Sequence, residues 1–489
     1  MNLWILTEER PKIEVLELII KQFLKDFAFC AFIDNLRILP IIEDSKFTFC
    51  YEIIGVKCNS FGKIYLEIIS GKSSFVDYLV FFVKERPKPN DEPLYIIEET
   101  KTDDSESRNT GVYQRITKFV YADYFYPQVK KIMLYNLRVK QKETPTPTSF
   151  FGTKILRTLG VEILGKDFKD NNEILKPFAN IEELIQFKNQ MKKPPKGNIP
   201  LTIRICDSEI PIIDLPDETR IYTPKDKIQI SGRLVKNNRL AHDPNIGAIS
   251  GIAGALRKLG FKGEIEIISH GLNQTQIGTT NKFIQIAHIL NFSLQDIRLP
   301  EVKIEKVYWN YEKEGEKLAT IFIHLLVENF SNGVENFSNG RAIFENHAGC
   351  EKGYFITKDN ENIALQKYEN RELYKEGDKN TIVFIPDLIL LDPKNLEIIN
   401  IEGKTYQNRY QGIEELKNYD FIEQEYIKKY YPQYKIIRSV VLYGGSENKI
   451  IEVEIGFLLN TKGEMILGIK APKIFLFSLQ NLLDFWKRK

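Results

Sequence analysis

The chain has 489 residues, 43% of them hydrophobic and 27% charged, with a net charge of +2. That length supports two to four domains, and so small a net charge excludes a uniformly basic protein that coats nucleic acid without discrimination. Five scattered cysteines (Cys30, Cys50, Cys58, Cys206 and Cys350) form no CxxC pair, which argues against a disulfide framework or a structural zinc cluster and fits a reducing cytoplasm. His347 and Cys350 have no second pair to complete four ligands, so a turn or core role is expected. No apolar run approaches the ~18 residues of a membrane span. The short, acidic opening MNLWILTEERPK is not expected to act as a signal peptide.

In chain order, an amphipathic helix is predicted over 11–27, with Ile13, Leu16, Ile20 and Leu24 on one face. Strands are predicted over 47–56, 63–69, 75–83 and 94–101. A polar loop and a helix over 114–125 follow, ended by Pro127. The Pro/Thr stretch 142–149 reads as a linker, and 191–198 is a second, basic loop. The middle region carries short strands (201–205, 210–213, 227–230), a Gly-rich helix over 248–259 and a strand over 264–268. From about residue 305 the earlier order returns. A helix over 312–329 precedes strands over 381–391 and 396–402. A helix over 411–430, with a stripe of Ile413, Leu416, Tyr419, Ile422, Tyr426 and Tyr430, ends at Pro432 and leads to strands over 435–443 and 450–457. The heptapeptide VENFSNG occurs twice in succession, at 327–333 and 334–340, and reads as a local loop duplication. The expected class is mixed α/β: similar units over 1–140 and 305–489, joined by a central α+β region over 150–300.

Two constellations stand out. Asp77 opens an apolar strand, and Glu99 and Lys101 lie two apart on the next one, so strand alternation puts them on one face. Asp387, after Pro386, opens another apolar strand; beyond the turn 392–395, Glu402 and Lys404 again share a face. Charges in such surroundings are costly unless paired or bound to a metal. Two carboxylates, with the carbonyl of Thr100 or Gly403 between Glu and Lys, are the hard oxygen donors that Mg²⁺ prefers. A neighbouring lysine can hold a water or offset charge growing on a phosphate.

Both segments resemble the PD-(D/E)xK nuclease motif of type II restriction endonucleases. The second has the full form, Pro386-Asp387 followed by Glu402-Gly403-Lys404; the first has Val76 in place of the proline. The resemblance covers about 1–140 and 305–460. It implies mixed β-sheets flanked by helices, joined through the central region, and Mg²⁺-dependent hydrolysis of double-stranded DNA by a cytoplasmic restriction enzyme. It further implies catalytic Asp77, Glu99, Lys101, Asp387, Glu402 and Lys404, and a supporting helical glutamate: Glu14 or Glu17 in the first unit, Glu316 in the second. No methyltransferase pattern is present, so a separate DNA methyltransferase would be the functional partner. Two unlike sites in one chain suit an asymmetric target and allow a monomer to cut both strands. The rival expectations are a repair or recombination nuclease with one live site, and a non-catalytic DNA-binding protein.

Directly after the first constellation, Arg108, Asn109, Gln114, Arg115 and Lys118 occupy polar positions and are candidate DNA contacts; an ordinary loop and solvated helix face is the alternative. The basic stretch 129–144 suits a phosphate backbone or a solvated charge run equally. The glycines of the 248–259 helix suit a recognition element or close helix packing. Gly403-Lys404-Thr405 lacks the upstream glycine of a phosphate-binding loop, since position 398 is Ile.

Overall fold

The computed structural model describes residues 1–69, 76–100, 111–134, 147–164, 176–191, 202–206, 222–233, 244–270, 273–275, 281–304, 315–333, 339–346, 352–366, 372–375, 378–445 and 456–489. The architecture is mixed α/β. The chain opens with β1 (Asn2–Thr7), α1 (Ile13–Asp26), β2 (Phe32–Glu43), β3 (Lys46–Lys57) and β4 (Ile64–Ile68). Then come β5 (Tyr78–Val83), β6 (Tyr95–Glu99), α2 (Gly111–Phe125), β7 (Lys130–Leu134), α3 (Pro147–Thr158) and β8 (Val161–Leu164). The middle carries α4 (Ile181–Gln190), β9 (Thr202–Ile205), β10 (Lys227–Arg233), α5 (Pro244–Lys258), β11 (Glu264–His270), α6 (Asn281–Leu290) and β12 (Phe292–Leu294). After α7 (Gly315–Phe330) and β13 (Arg341–Glu345) there are two hairpins, β14 (Lys352–Ile356) with β15 (Asn362–Gln366), and β16 (Glu372–Lys375) with β17 (Asp378–Phe384). The chain closes with β18 (Leu388–Asp392), β19 (Glu397–Thr405), α8 (Arg409–Leu416), β20 (Lys435–Tyr443), β21 (Phe457–Leu459), β22 (Met465–Leu467) and α9 (Lys473–Arg488).

Two compact units emerge: Met1–Ser74, Phe81–Pro89 and Asn310–Lys489 form one, and Phe75–Val80 with Asn90–Trp309 the other. These bounds cut across the three regions drawn from sequence, because the N-terminal strands group with the C-terminal third of the chain. The reason is α7, which is buried on nearly every side from Lys317 to Phe330. Its Asn329 side chain donates to the Ile38 carbonyl at 3.0 Å, and the Phe322 ring meets Phe47 at 4.7 Å. From β1's end, Arg10 reaches Glu345 with two hydrogen bonds of 3.0 and 3.1 Å, and Trp486 of α9 donates to the Pro40 carbonyl at 2.8 Å. In this unit the strands run β2-β3-β4-β1 and β13-β18-β19-β20-β21-β22. β18 and β19 are antiparallel, while β19, β20 and β21 are mutually parallel in that order, with α8 between β19 and β20. The strand expected over 381–391 is two: Pro386 has no N–H to give a ladder, and β17 and β18 separate around it. The helix expected over 411–430 is likewise broken, into α8, a short turn of helix at Asp420–Ile422, a π-turn at Glu423–Ile427 and a last turn at Lys428–Tyr430.

The second unit repeats part of that connectivity. β5 and β6 are antiparallel, and β6, β7 and β8 are parallel through α2 and α3. A separate sheet of order β12-β11-β10-β9 completes it. The stretch expected as a linker over 142–149 runs into α3, whose first residue is Pro147, a position proline favours. In the basic stretch, Lys130 and Lys131 lie on β7 and are tied to Glu162 at 2.7 Å and Asp123 at 2.6 Å, so these two serve internal pairing; Arg138, Lys140 and Lys142 lie outside the described residues. The Gly-rich helix α5 packs on α2 through its glycines. A Cβ at Gly247 would overlap the Tyr113 carbonyl, and one at Gly251 would come within 2.8 Å of Ile116 and 2.9 Å of Ile155. The glycines are therefore a packing stripe that lets α2 and α5 approach. Gly251→Val should lower the unfolding free energy by about 1–3 kcal/mol through overpacking, measured by urea denaturation; a stability equal to wild type would show that the two helices are free to separate.

Candidate functional site

In the first unit, Asp387 sits one residue before the first paired position of β18, where Leu388 is opposite Ile401. Glu402 therefore emerges beside it on β19. The Asp387 Oδ2 accepts the Gly403 N–H at 3.0 Å, which ties the carboxylate across the strand gap. Asp387, Glu402 and Lys404 are all buried. The Lys404 ammonium lies 2.5 Å from Glu402 Oε1, 3.0 Å from Glu415 Oε2 on α8 and 3.7 Å from Glu316 Oε1 on α7. The phenol of Tyr419, just past α8, donates to Glu402 Oε2. Gly403 is a glycine for a steric reason: a Cβ there would overlap the Thr320 methyl of α7 and approach Asp387 Oδ2. The expected helical glutamate, Glu316, is thus brought to the site by α7.

The electrostatics follow from burial. The Glu402 carboxyl is pushed well above the ordinary range by desolvation, by the Asp387 charge and by its hydrogen bond with Glu415, against the pull of Lys404. Burial alone would raise Glu415, but bonds from Glu402 and Lys404 hold it down to about 2. Burial and the charges of Glu402 and Asp387 raise Tyr419, which keeps it a phenol able to donate.

In the second unit the register is the same. Tyr78 is opposite Ile97, so Asp77 precedes the ladder and Glu98 follows it. Asp77 Oδ2 accepts the Glu99 N–H at 2.7 Å, as Asp387 accepts that of Gly403, and the Asp77 N–H donates to Glu98 Oε1 at 3.1 Å. The counterpart of Glu402 is therefore Glu98, one residue earlier than the sequence spacing suggested. The Glu99 carboxylate takes the Tyr78 hydroxyl at 2.9 Å instead. The lysine also comes from elsewhere. Lys118 on α2, expected as a DNA contact, is buried with its ammonium 2.8 Å from both Glu98 oxygens and 4.0 Å from Asp77 Oδ1. Desolvation and the Asp77 charge push the Glu98 carboxyl well up, opposed by Lys118 and Arg115.

Other expected residues are dispersed. Arg115 donates to the Glu99 carbonyl at 3.3 Å, and the Thr100 N–H to the Leu134 carbonyl at 2.9 Å. Glu14 and Glu17 lie on α1, in the unit that carries Asp387, with Glu17 paired to Lys21 at 2.5 Å. Lys101, Arg108, Asn109 and the Gln114 side chain lie outside the described residues. Sequence reasoning missed Glu98, Glu415 and the polar use of Tyr419, which stood only as a member of an apolar stripe.

Among the described residues no group of three or more His, Cys, Asp or Glu is arranged as a metal cage. A hard cation that keeps most of its waters needs only one or two carboxylates, and each of these pairs supplies two, mutually repelling and adjacent to a backbone carbonyl. The donor set thus fits Mg²⁺. Compared with known family models, characterised proteins and solved structures, the chain gives no significant match.

Removing Lys118 would leave Glu98 buried and uncompensated, a change that typically costs about 3–5 kcal/mol. A carboxyl whose folded value lies above its unfolded value, about 4.3, loses stability as pH rises through and beyond that range. Lys118→Ala should therefore lower the melting temperature more at pH 8 than at pH 5. A deficit independent of pH would detach Lys118 from Glu98.

Proposed function

We propose that the chain is a Mg²⁺-dependent endonuclease of the PD-(D/E)xK type, acting on double-stranded DNA as a type II restriction enzyme. One catalytic centre lies in each unit: Asp387, Glu402 and Lys404 in one, Asp77, Glu98 and Lys118 in the other. The observation that carries this reading is the recurrence of one arrangement. In both units an Asp just before an antiparallel strand accepts the N–H of the residue after a buried Glu, and a lysine ammonium is bonded to that Glu.

Asp387 and Glu402 with the Gly403 carbonyl, and Asp77 and Glu98 with the Glu99 carbonyl, would hold the metal. Bound Mg²⁺ polarises a phosphate and lowers the pKa of a water. The residues of the chain do the rest. Lys404 and Lys118 hold an attacking water by hydrogen bonding and offset negative charge developing on the phosphate oxygens. Tyr419 fixes one oxygen of Glu402, so the other faces Lys404. Glu415 and Glu316 keep the Lys404 ammonium in place. Each centre cuts one phosphodiester, so a single protomer would cut both strands of an asymmetric target. A separate methyltransferase would protect the host's own sites.

The test is digestion of supercoiled plasmid with Mg²⁺. Wild type should give discrete linear bands that vanish with EDTA. Glu98→Gln and Glu402→Gln should each convert the enzyme to a nickase, and sequencing of the nicks should place them on opposite strands. No Mg²⁺-dependent cleavage by wild type on any of a broad set of DNA substrates would overturn the reading.

Glu99→Gln should leave double-strand cleavage within about threefold of wild type, since its carboxylate is engaged by Tyr78, whereas Glu98→Gln should lower cleavage by the Asp77 centre by about a hundredfold or more, the scale of losing one preorganised electrostatic group. Rates on a single-site duplex check both. The reverse order would restore Glu99 as the functional carboxylate.

A further inference from the structure

Next to Asp387 is a polar side chain that neither the fold nor the site accounts for. Asn346 follows β13 directly, and its N–H donates to the Asp387 carbonyl at 2.7 Å. Asn346 is 4% exposed, and its Oδ1 has no hydrogen-bond partner among the described residues. A buried amide oxygen left without a donor costs about 1–3 kcal/mol, so such an atom calls for an explanation.

Its direction follows from strand alternation. On β13, Phe344 is opposite Ile389 of β18, and both belong to the core that includes Leu391, Ile398 and Val440. Side chains two residues further along a strand return to the same face. Continuing two residues along β13 from Phe344 reaches Asn346, and stepping back two along β18 from Ile389 reaches Asp387. On β19, Ile398 leads by the same steps to Asn400, Glu402 and Lys404. Asn346, Asp387 and Glu402 therefore form a row of oxygen-bearing side chains at one end of three neighbouring strands, on one face of the sheet.

We propose that Asn346 is a further oxygen ligand of the metal at the Asp387 centre, bound directly or through one of the ion's waters. An amide carbonyl is a hard neutral donor of the kind a hydrated divalent cation takes. It adds an oxygen to Asp387 and Glu402 without adding a third negative charge to a buried site. Bound there, the ion gives the amide oxygen a partner that no described residue supplies. This rests on the reading of Asp387 and Glu402 as metal-holding carboxylates.

The experiment is calorimetric titration of Mn²⁺ into the full chain carrying Asp77→Asn and Glu98→Gln, which leaves the Asp387 centre as the one observed. Asn346→Ala should weaken Mn²⁺ binding by about tenfold or more, the scale seen when a group supporting a metal site is lost. Asn346→Asp should bind at least as tightly as the Asn346 parent, and its melting temperature should rise more on adding Mn²⁺ than the parent's does. Asp387→Asn separates the two claims. If it abolishes binding while Asn346→Ala leaves the affinity unchanged, Asn346 is no ligand and the parent reading stands. If Asp387→Asn also leaves binding unchanged, the parent reading fails. Should Asn346→Ala not fold, an Asn346→Asp protein that Mn²⁺ does not stabilise more than the parent overturns the proposal.

Discussion

Two carboxylates placed side by side inside a sheet cannot both be charged unless a cation stands next to them. Desolvation and mutual repulsion push their pKa values up together, and a buried ion pair missing one partner is among the more destabilising arrangements a protein can hold. Both centres of this chain are built around that constraint. The strand register sets an Asp beside a Glu, and a lysine ammonium within 2.5–2.8 Å of the Glu supplies the balancing charge. Helices, glycines and secondary acids can each be traced to the task of delivering that lysine.

The two units deliver it differently. In one, Lys404 is two residues beyond Glu402 on the same strand, so the ladder positions it and the neighbouring helices are free to bring Glu415, Glu316 and Tyr419. In the other, Lys118 rides on α2, and the ammonium reaches Glu98 only while that helix is held against the sheet. The glycine stripe of α5, packed on Tyr113 and Ile116 of α2, is what holds it. The helix–helix contact of the second unit is thus part of its electrostatics, and the same overpacking that would loosen α2 would also withdraw a charge from Glu98.

How legible was this from the residues? Asp387, Glu402 and Lys404 could be read because a single hairpin carries all three, and alternation within one strand fixes which share a face. Glu316 could be read because a helix precedes that hairpin. The Asp77 centre was displaced by one residue: Glu98 and Glu99 are adjacent, and only the register of Tyr78 with Ile97 decides which of them meets Asp77. Lys118 lies 20 residues from Glu98, and no spacing rule joins a strand residue to a helix residue across a crossover. β1 and β2 went unread because β1 is short, with only the apolar run Leu3–Leu6 and no alternation, and β2 mixes polar residues with Pro40. The grouping of the N-terminal strands with the C-terminal third depends on α7, whose burial on almost every side erases the amphipathic signal that would announce its partners.

Two centres of one kind, each defined by its Asp–Glu pair, should bind metal independently of each other. The most direct measurement is the number of Mn²⁺ ions bound per chain at saturation, by equilibrium dialysis with metal analysis, for wild type, Glu98→Gln and Glu402→Gln. A specific binding event is expected at each centre, with each substitution removing one centre's share and leaving the other's affinity unaltered. Binding in wild type that neither substitution changes would contradict it.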